Sequence, residues 1–297
     1  MKKAFSLVEL SIVLIVISLM VVGIVKGGNL VSLARLMNAR SFTSNSPVPK
    51  ISGLLAWYET SMKASLNESE ASEDTQITAW YDISPNSIAN QRNTLIGLDV
   101  APAPICPVEE PFCTAPPLTN ITYQPDGIGK IPSLEFTSSG LATLEKFYQG
   151  SSAQLSVFLV FQPSVAPNST AKILLDSFAG NTTNSVGIKS TALTLNTDTP
   201  ANATAFSFSS GVNYIVSAYF NGASSKAFSN VADTGADLSL GAGELVGLTI
   251  GTDQNYGNSF TGLISEIIIY NRPLKLQERK DVMSYLSKKY QIIVTGL

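Results

Sequence analysis

Carboxylates are the side chains of this chain that could carry acid–base chemistry, because its 297 residues include no histidine. That removes the commonest general base, the commonest metal ligand and the usual partner of a nucleophilic Ser or Cys. Glycoside hydrolysis would need two carboxyl groups about 5–9.5 Å apart across a cleft. Glu68, Glu70 and Glu73 come nearest to such a set, but they lie among Ser, Asn and Ala without the apolar alternation of a strand. A solvated acidic loop is expected there. Glu266 opens an apolar run without a visible second carboxylate, so it is expected to anchor a turn or buried hydrogen bonds. No catalytic residue is assigned, and the chain is read as not being an enzyme.

Calcium would need Asp carboxylates and carbonyl oxygens gathered on loops. Asp82, Asn86, Asp253 and Asn255 are the candidates, set against the ordinary use of Asp and Asn as turn formers. Calcium is the one cofactor considered. Aromatic rings could stack on sugars. Trp57 and Trp80 sit inside apolar runs and read as core, which leaves Tyr256, in Gln254-Asn255-Tyr256-Gly257-Asn258, as the loop-borne ring. Cys106 and Cys113 fall close together in the Pro-rich stretch 102–117. An even count and close spacing in an exported chain favour a disulfide between them. A zinc site would lack ligands, with no second Cys pair and no His.

The elements that must position these groups begin with an unusual N-terminus. Lys2 and Lys3 precede a nearly unbroken apolar run from Phe5 to Val25. About 21 residues at 1.5 Å each suffice to span ~30 Å of hydrocarbon. The preceding positive charges predict a cytoplasmic start and an exported remainder. Glu9 interrupts the run, and a carboxylate in lipid costs several kcal/mol unless paired, which marks it as functional. A secretory signal peptide would have a shorter core and a small-residue cleavage site after it. A plain anchor would leave Glu9 without a purpose.

The segment Lys3-Ala4-Phe5-Ser6-Leu7-Val8-Glu9-Leu10 closely resembles the type IV prepilin signature. The resemblance implies cleavage by a prepilin peptidase between Ala4 and Phe5, N-methylation of Phe5, and assembly through Glu9. Glu9 would pair with the Phe5 amine of a neighbouring subunit. Ala4 departs from the commoner Gly, which bears on cleavage rate. Other pilin subunits and an inner-membrane assembly platform are the implied partners. The resemblance divides the chain into a leader at 1–4 and a transmembrane and assembly helix at 5–41. Leu30, Leu33, Leu36 and Met37 would give that helix one apolar face able to dock on the head. Gly23, Gly27 and Gly28 weaken its middle. The location implied is the bacterial inner membrane, single-pass, and then the periplasm or a cell-surface filament.

Residues 42–50 read as a linker, with Pro47 and Pro49 after small polar residues. Beyond it, short apolar runs punctuated by Gly, Asn, Asp, Ser and Pro predict strands at 54–58, 77–81, 133–136, 156–161, 172–178, 186–190, 205–208, 214–221, 227–231, 245–252 and 262–270. The runs 156–161 and 264–270 are almost wholly apolar, as strands covered on both faces would be. A C-terminal helix follows, with Val282, Leu286 and Tyr290 inward and Lys275, Arg279, Lys280, Lys288 and Lys289 outward. The fold class expected is mainly β: a long N-terminal helix, then an antiparallel sandwich with a C-terminal helix.

Three passages resemble LamG-like, concanavalin-type jelly-roll domains. They are Gly53–Tyr58 with Ile77–Asn86, Pro132–Phe136, and Phe260–Leu274. The resemblance covers a head at 51–292, with Pro85 and Lys275 departing from its usual residues. It implies a lectin-like module with a glycan or cell-surface ligand. Charged residues are only 14% of the chain against a usual ~25%, as in secreted β proteins. A net charge of −3, with no basic patch among aromatics, gives no reason to expect nucleic acid. The combined expectation is a pilin carrying an adhesive head, and the bulk of that head favours a minor subunit. A pseudopilin of a type II secretion or DNA-uptake system is the alternative, with a surface-anchored glycan hydrolase behind it.

Overall fold

The computed structural model describes residues 7–85, 94–98, 120–143, 154–164, 172–177, 187–189, 192–196, 203–238, 245, 247–253 and 258–297. Helix α1 (Leu7–Ser44) opens the chain. The strands are β1 (Leu54–Glu59), β2 (Ala79–Trp80), β3 (Leu95–Leu98), β4 (Ile121–Gln124), β5 (Ser133–Thr137), β6 (Gly140–Thr143), β7 (Leu155–Pro163) and β8 (Ile173–Asp176). They continue as β9 (Gly187–Lys189), β10 (Ala192–Asn196), β11 (Ala203–Ser207), β12 (Tyr214–Phe220), β13 (Ser225–Ser229), β14 (Ala236–Leu238), β15 (Thr249–Ile250) and β16 (Thr261–Tyr270). Helix α2 (Leu276–Tyr290) closes the fold.

Among the described residues the strands pair antiparallel and form two sheets. The first runs β14-β13-β12-β7-β16-β5-β4, with β1 also on β16. The second runs β11-β10-β9-β8-β15-β6-β3-β2. β16 gives one edge to β7 and divides the other, pairing β5 through residues 261–264 and β1 through 266–270. The alternation along β7 shows why both its faces are apolar. Leu155, Val157, Leu159 and Phe161 enter the core between the sheets, while Phe158 and Val160 enter a second core beneath α2. The molecule thus stacks sheet, sheet and helix, an antiparallel sandwich with α2 laid on one outer face.

α2 departs from expectation on two residues. Val282, Leu286 and Tyr290 are buried as expected, but Arg279 and Lys289 are buried too. Residues 279, 282, 286 and 289 follow three- and four-residue steps, so all four lie on one face. Arg279 Nε donates to the Ala232 carbonyl at 3.0 Å, and its guanidinium lies 4.0 Å from the Phe228 ring centroid.

α1 also differs. Leu30, Leu33 and Met37 do not dock on the head; they are 66%, 51% and 61% exposed. Contact is made instead by the last turns, where Ala39 and Thr43 are buried and Arg40 Nε donates to the Ser61 carbonyl at 2.7 Å. Past the helix, Val48 is buried and its carbonyl accepts from the Tyr270 hydroxyl at 3.0 Å. The expected single-pass inner-membrane location is corrected here. Among the described residues, no helix is long and apolar enough to cross a membrane.

Candidate functional site

A β-bulge creates the most chemically loaded position in the head. On β16, Ile264 pairs with Phe161 of β7 and Glu266 pairs with Val160, so Ser265 is an extra residue. Ile264 and Ile267 both enter the inter-sheet core. Strict alternation from Ile264 would have sent Glu266 into that apolar core; the bulge turns it toward α2 instead.

Across the strand pair, Glu59 of β1 stands directly opposite Glu266. Like charges so placed repel. Lys289 of α2 resolves the repulsion: its Nζ lies 2.8 Å from Glu59 Oε2 and 2.8 Å from Glu266 Oε2, and all three side chains are 0% exposed. The third ammonium proton points to the Tyr285 hydroxyl at 3.2 Å, which uses every donor Lys289 has.

Each carboxylate is fully hydrogen-bonded. Glu59 Oε2 accepts from the Ser61 amide at 2.9 Å and the Ser61 hydroxyl at 2.6 Å, and Oε1 from the Ser65 hydroxyl at 2.7 Å and the Met62 amide. Glu266 Oε1 accepts from Trp57 Nε1 and the Tyr285 hydroxyl, both at 2.8 Å, and Oε2 from the Tyr290 hydroxyl at 2.9 Å. The donors to Glu59 come from the turn after β1, whereas those to Glu266 are rings held by the sheet and helix.

Burial alone would push the Glu59 carboxyl up. The Lys289 charge and hydrogen bond, with the Ser61 and Ser65 hydroxyls, outweigh it and hold the carboxyl below its usual range. Burial likewise opposes the Lys289 ammonium, but Glu266 and Glu59 hold its pKa above the ordinary lysine value. Burial and then the Glu266 charge push the Tyr285 and Tyr290 phenols well up, so both remain protonated donors. The site touches the N-terminal helix through Thr43 Oγ1, 3.3 Å from the Tyr285 hydroxyl.

The residues expected to act are placed elsewhere. Trp57 and Trp80 are core, as expected, at 4% and 0% exposure, with Trp80 Nε1 donating to the Glu59 carbonyl at 2.8 Å. Glu266 holds buried hydrogen bonds, also as expected. Glu68 and Glu73 are exposed, while Glu70 accepts from Asn67 Nδ2 at 2.9 Å and the Thr78 amide at 3.0 Å, pinning the acidic turn to the entry of β2. Asp82 Oδ1 accepts from the Trp57 and Ser84 amides, each at 2.8 Å, the geometry of a turn anchor. Asp253 accepts from Asn258 Nδ2 at 2.8 Å. Among the described residues no group of three His, Cys, Asp or Glu side chains could hold a metal. Ala4, Phe5, Asn86, Cys106, Cys113, Asn255 and Tyr256 lie outside the described residues, and Glu9 falls on α1. An open cleft of about 300 Å³ lies between Ser32 of α1 and Glu73, Gln124, Pro125 and Asp126 of the head.

The sequence does not single out Glu59 or Tyr285, and Lys289 is expected to face outward. The signal for Lys289 was present in its seven-residue step from Val282. The signal for Glu59 was its place two residues after Trp57, on the same face of β1.

No family model matches the chain, and no curated protein matches it. Solved structures do. A mutant of Trypanosoma rangeli sialidase displaying trans-sialidase activity aligns over 89% of this chain and 39% of its own, at 13% identity and a TM-score of 0.51. Domain 4 of AbnA, a GH43 extracellular arabinanase from Geobacillus stearothermophilus in complex with arabinotriose, aligns over 77% of this chain and 98% of its own, at 15% identity and 0.49. The binding domain of Paraclostridial mosquitocidal protein 1 aligns over 80% and 52%, at 12% identity and 0.47. The match thus spans well under half of the sialidase chain. The expectation that the chain is not an enzyme is corrected by this comparison: its fold recurs in a sialidase, so the fold gives no ground for ruling catalysis out. What the likeness establishes is the sandwich fold alone.

Proposed function

We propose that the chain is a filament subunit of the type IV pilin class, assembled through α1 and displaying the β-sandwich as its head. One observation carries the reading. The described residues of α1 expose Leu10, Ile12, Val13, Leu14, Ile15, Val16, Ile17, Leu30, Val31, Leu33 and Met37, while its last turns rest on the head. A helix apolar on all sides is stable only when something covers it. Copies of the same helix would do so. The prepilin-like segment supports the same reading and adds a leader at 1–4, cleavage between Ala4 and Phe5, methylation of Phe5, and Glu9 as the register-setting carboxylate. A prepilin peptidase and an assembly platform are then the processing and assembly partners.

Mass spectrometry of filaments sheared from cells that make the protein tests this. The expected result is the chain in the fibre fraction, beginning at methylated Phe5. A chain that retains Met1 and is absent from fibres overturns it. The same proposal reads the head as a lectin-like, carbohydrate-binding module, on the sandwich fold it has in common with the sialidase chain. A glycan array probed with the full chain tests that half separately, and binding to no glycan overturns it.

A further inference from the structure

An amine held at hydrogen-bond distance from two carboxylates, with no exposed surface on any of the three, is the arrangement from which an amide can form without an enzyme. We propose that Lys289 and Glu266 condense into an intramolecular isopeptide bond, with Glu59 carrying the protons. The inference does not depend on the filament reading.

The two glutamates have different surroundings, and the difference assigns their roles. Glu59 is held by four donors from its own turn, two of them backbone amides. Glu266 Oε1 faces Trp57 Nε1 and the Tyr285 hydroxyl, each at 2.8 Å. Two fixed donors on one carboxyl oxygen form a site for the negative charge that develops there when the carbon is attacked. Glu266 is therefore the electrophile and Glu59 the base.

The step balances within the site. Glu59 Oε2, 2.8 Å from Lys289 Nζ, takes one ammonium proton and passes it to Glu266 Oε2, giving a neutral amine and a neutral carboxylic acid. Nζ attacks Cδ of Glu266, forming the C–N bond, and the oxyanion on Oε1 is held by Trp57 and Tyr285. Glu59 then removes a second proton from nitrogen and delivers it to the Oε2 hydroxyl, which leaves as water. The C–O bond breaks, the amide carbonyl stays on Trp57 and Tyr285, and Glu59 ends ionised as it began. No oxidant or cofactor enters. Immobilised reactants reach effective molarities on the order of 10⁵ M or more. The dry surroundings favour loss of water.

Intact mass of the purified full chain, denatured and reduced, decides the matter. The expected value is one water below that of its sequence. Tryptic digestion should give a branched peptide joining Lys289 to Glu266, and Glu59→Gln should restore the full mass. Should Glu59→Gln fail to fold, the parent chain's mass and branched peptide still decide. A parent chain of full mass, cut by trypsin after Lys289, overturns the proposal. A link from Lys289 to Glu59 overturns the assignment of roles.

Discussion

Glu59 and Glu266 occupy facing positions on neighbouring antiparallel strands, and one buried ammonium serves both. Paired acids in this register would push β1 and β16 apart unless a cation were supplied from another layer. The cation comes from α2, so the helix is fastened to the sheet by charge as well as by Val282 and Leu286. Lys289→Ala should cost about 3–5 kcal/mol, because it strands two buried carboxylates. The check is the urea midpoint of the full chain. An unchanged midpoint would show that the cluster does not hold α2.

Gly129 bears the end of α2. Its φ of +63° is in the left-handed region, and a Cβ there would stand 2.3 Å from the Tyr290 carbonyl oxygen. Both the strain and the clash with backbone are unavoidable for Ala. Gly129→Ala is expected to destabilise by about 1–3 kcal/mol from strain alone, before the collision is counted. Thermal unfolding reads it, and a melting temperature equal to the parent's would contradict the tight approach.

Arg272 grips Glu278 through both nitrogens, at 2.9 and 2.6 Å, while Glu278 also accepts from the Lys275 amide at 2.8 Å. The Arg272 hydrogen bond holds the Glu278 pKa down to about 2. A carboxyl depressed in the folded state stabilises fully above its unfolded value near 4.5, and that contribution fades as pH falls toward about 2. The pair is partly exposed, so solvent screening keeps the effect small. The parent should be more stable than Glu278→Gln at pH 6, and the gap should shrink by pH 2.5. A gap independent of pH would refute the assignment.

Leu30 and Leu33 test the exposed helix. Either residue changed to Asp should leave the head's thermal stability within about 0.5 kcal/mol, since both are exposed. The same change should abolish self-association measured by sedimentation. Loss of head stability would mean that the helix serves the fold of its own chain rather than its neighbours.

Period-two reading found the strands of the first sheet that alternate or run apolar, such as β7, β12 and β16. It missed β3, β4, β6, β10 and β14, which are short or rich in Gly, Ala and Thr and gain their place from neighbours rather than from their own pattern. The site was only half legible. Glu266 stood out as a carboxylate in an apolar run, but its direction depends on a bulge that no residue type announces. Its charge points Lys289 outward, while its helical spacing places it inward. A lysine at a core position is a stronger signal than its charge suggests, because burial without partners would be prohibitive. Trp57 and Trp80 were legible because large rings inside apolar runs have nowhere else to go.

The hydrogen bonds made by the last turns of α1 bear on how the head would carry tension. A pull on the helix passes at Arg40 and Thr43 to Ser61 and Tyr285, and through the chain into β1. β1 lies along β16 in register from Ala56 to Glu59, so a force along it would shear several backbone hydrogen bonds together instead of unzipping them in turn. Glu59 sits at the far end of that strand. Its ammonium partner on α2 ties that end of β1 to the helix layer as well as to the sheet.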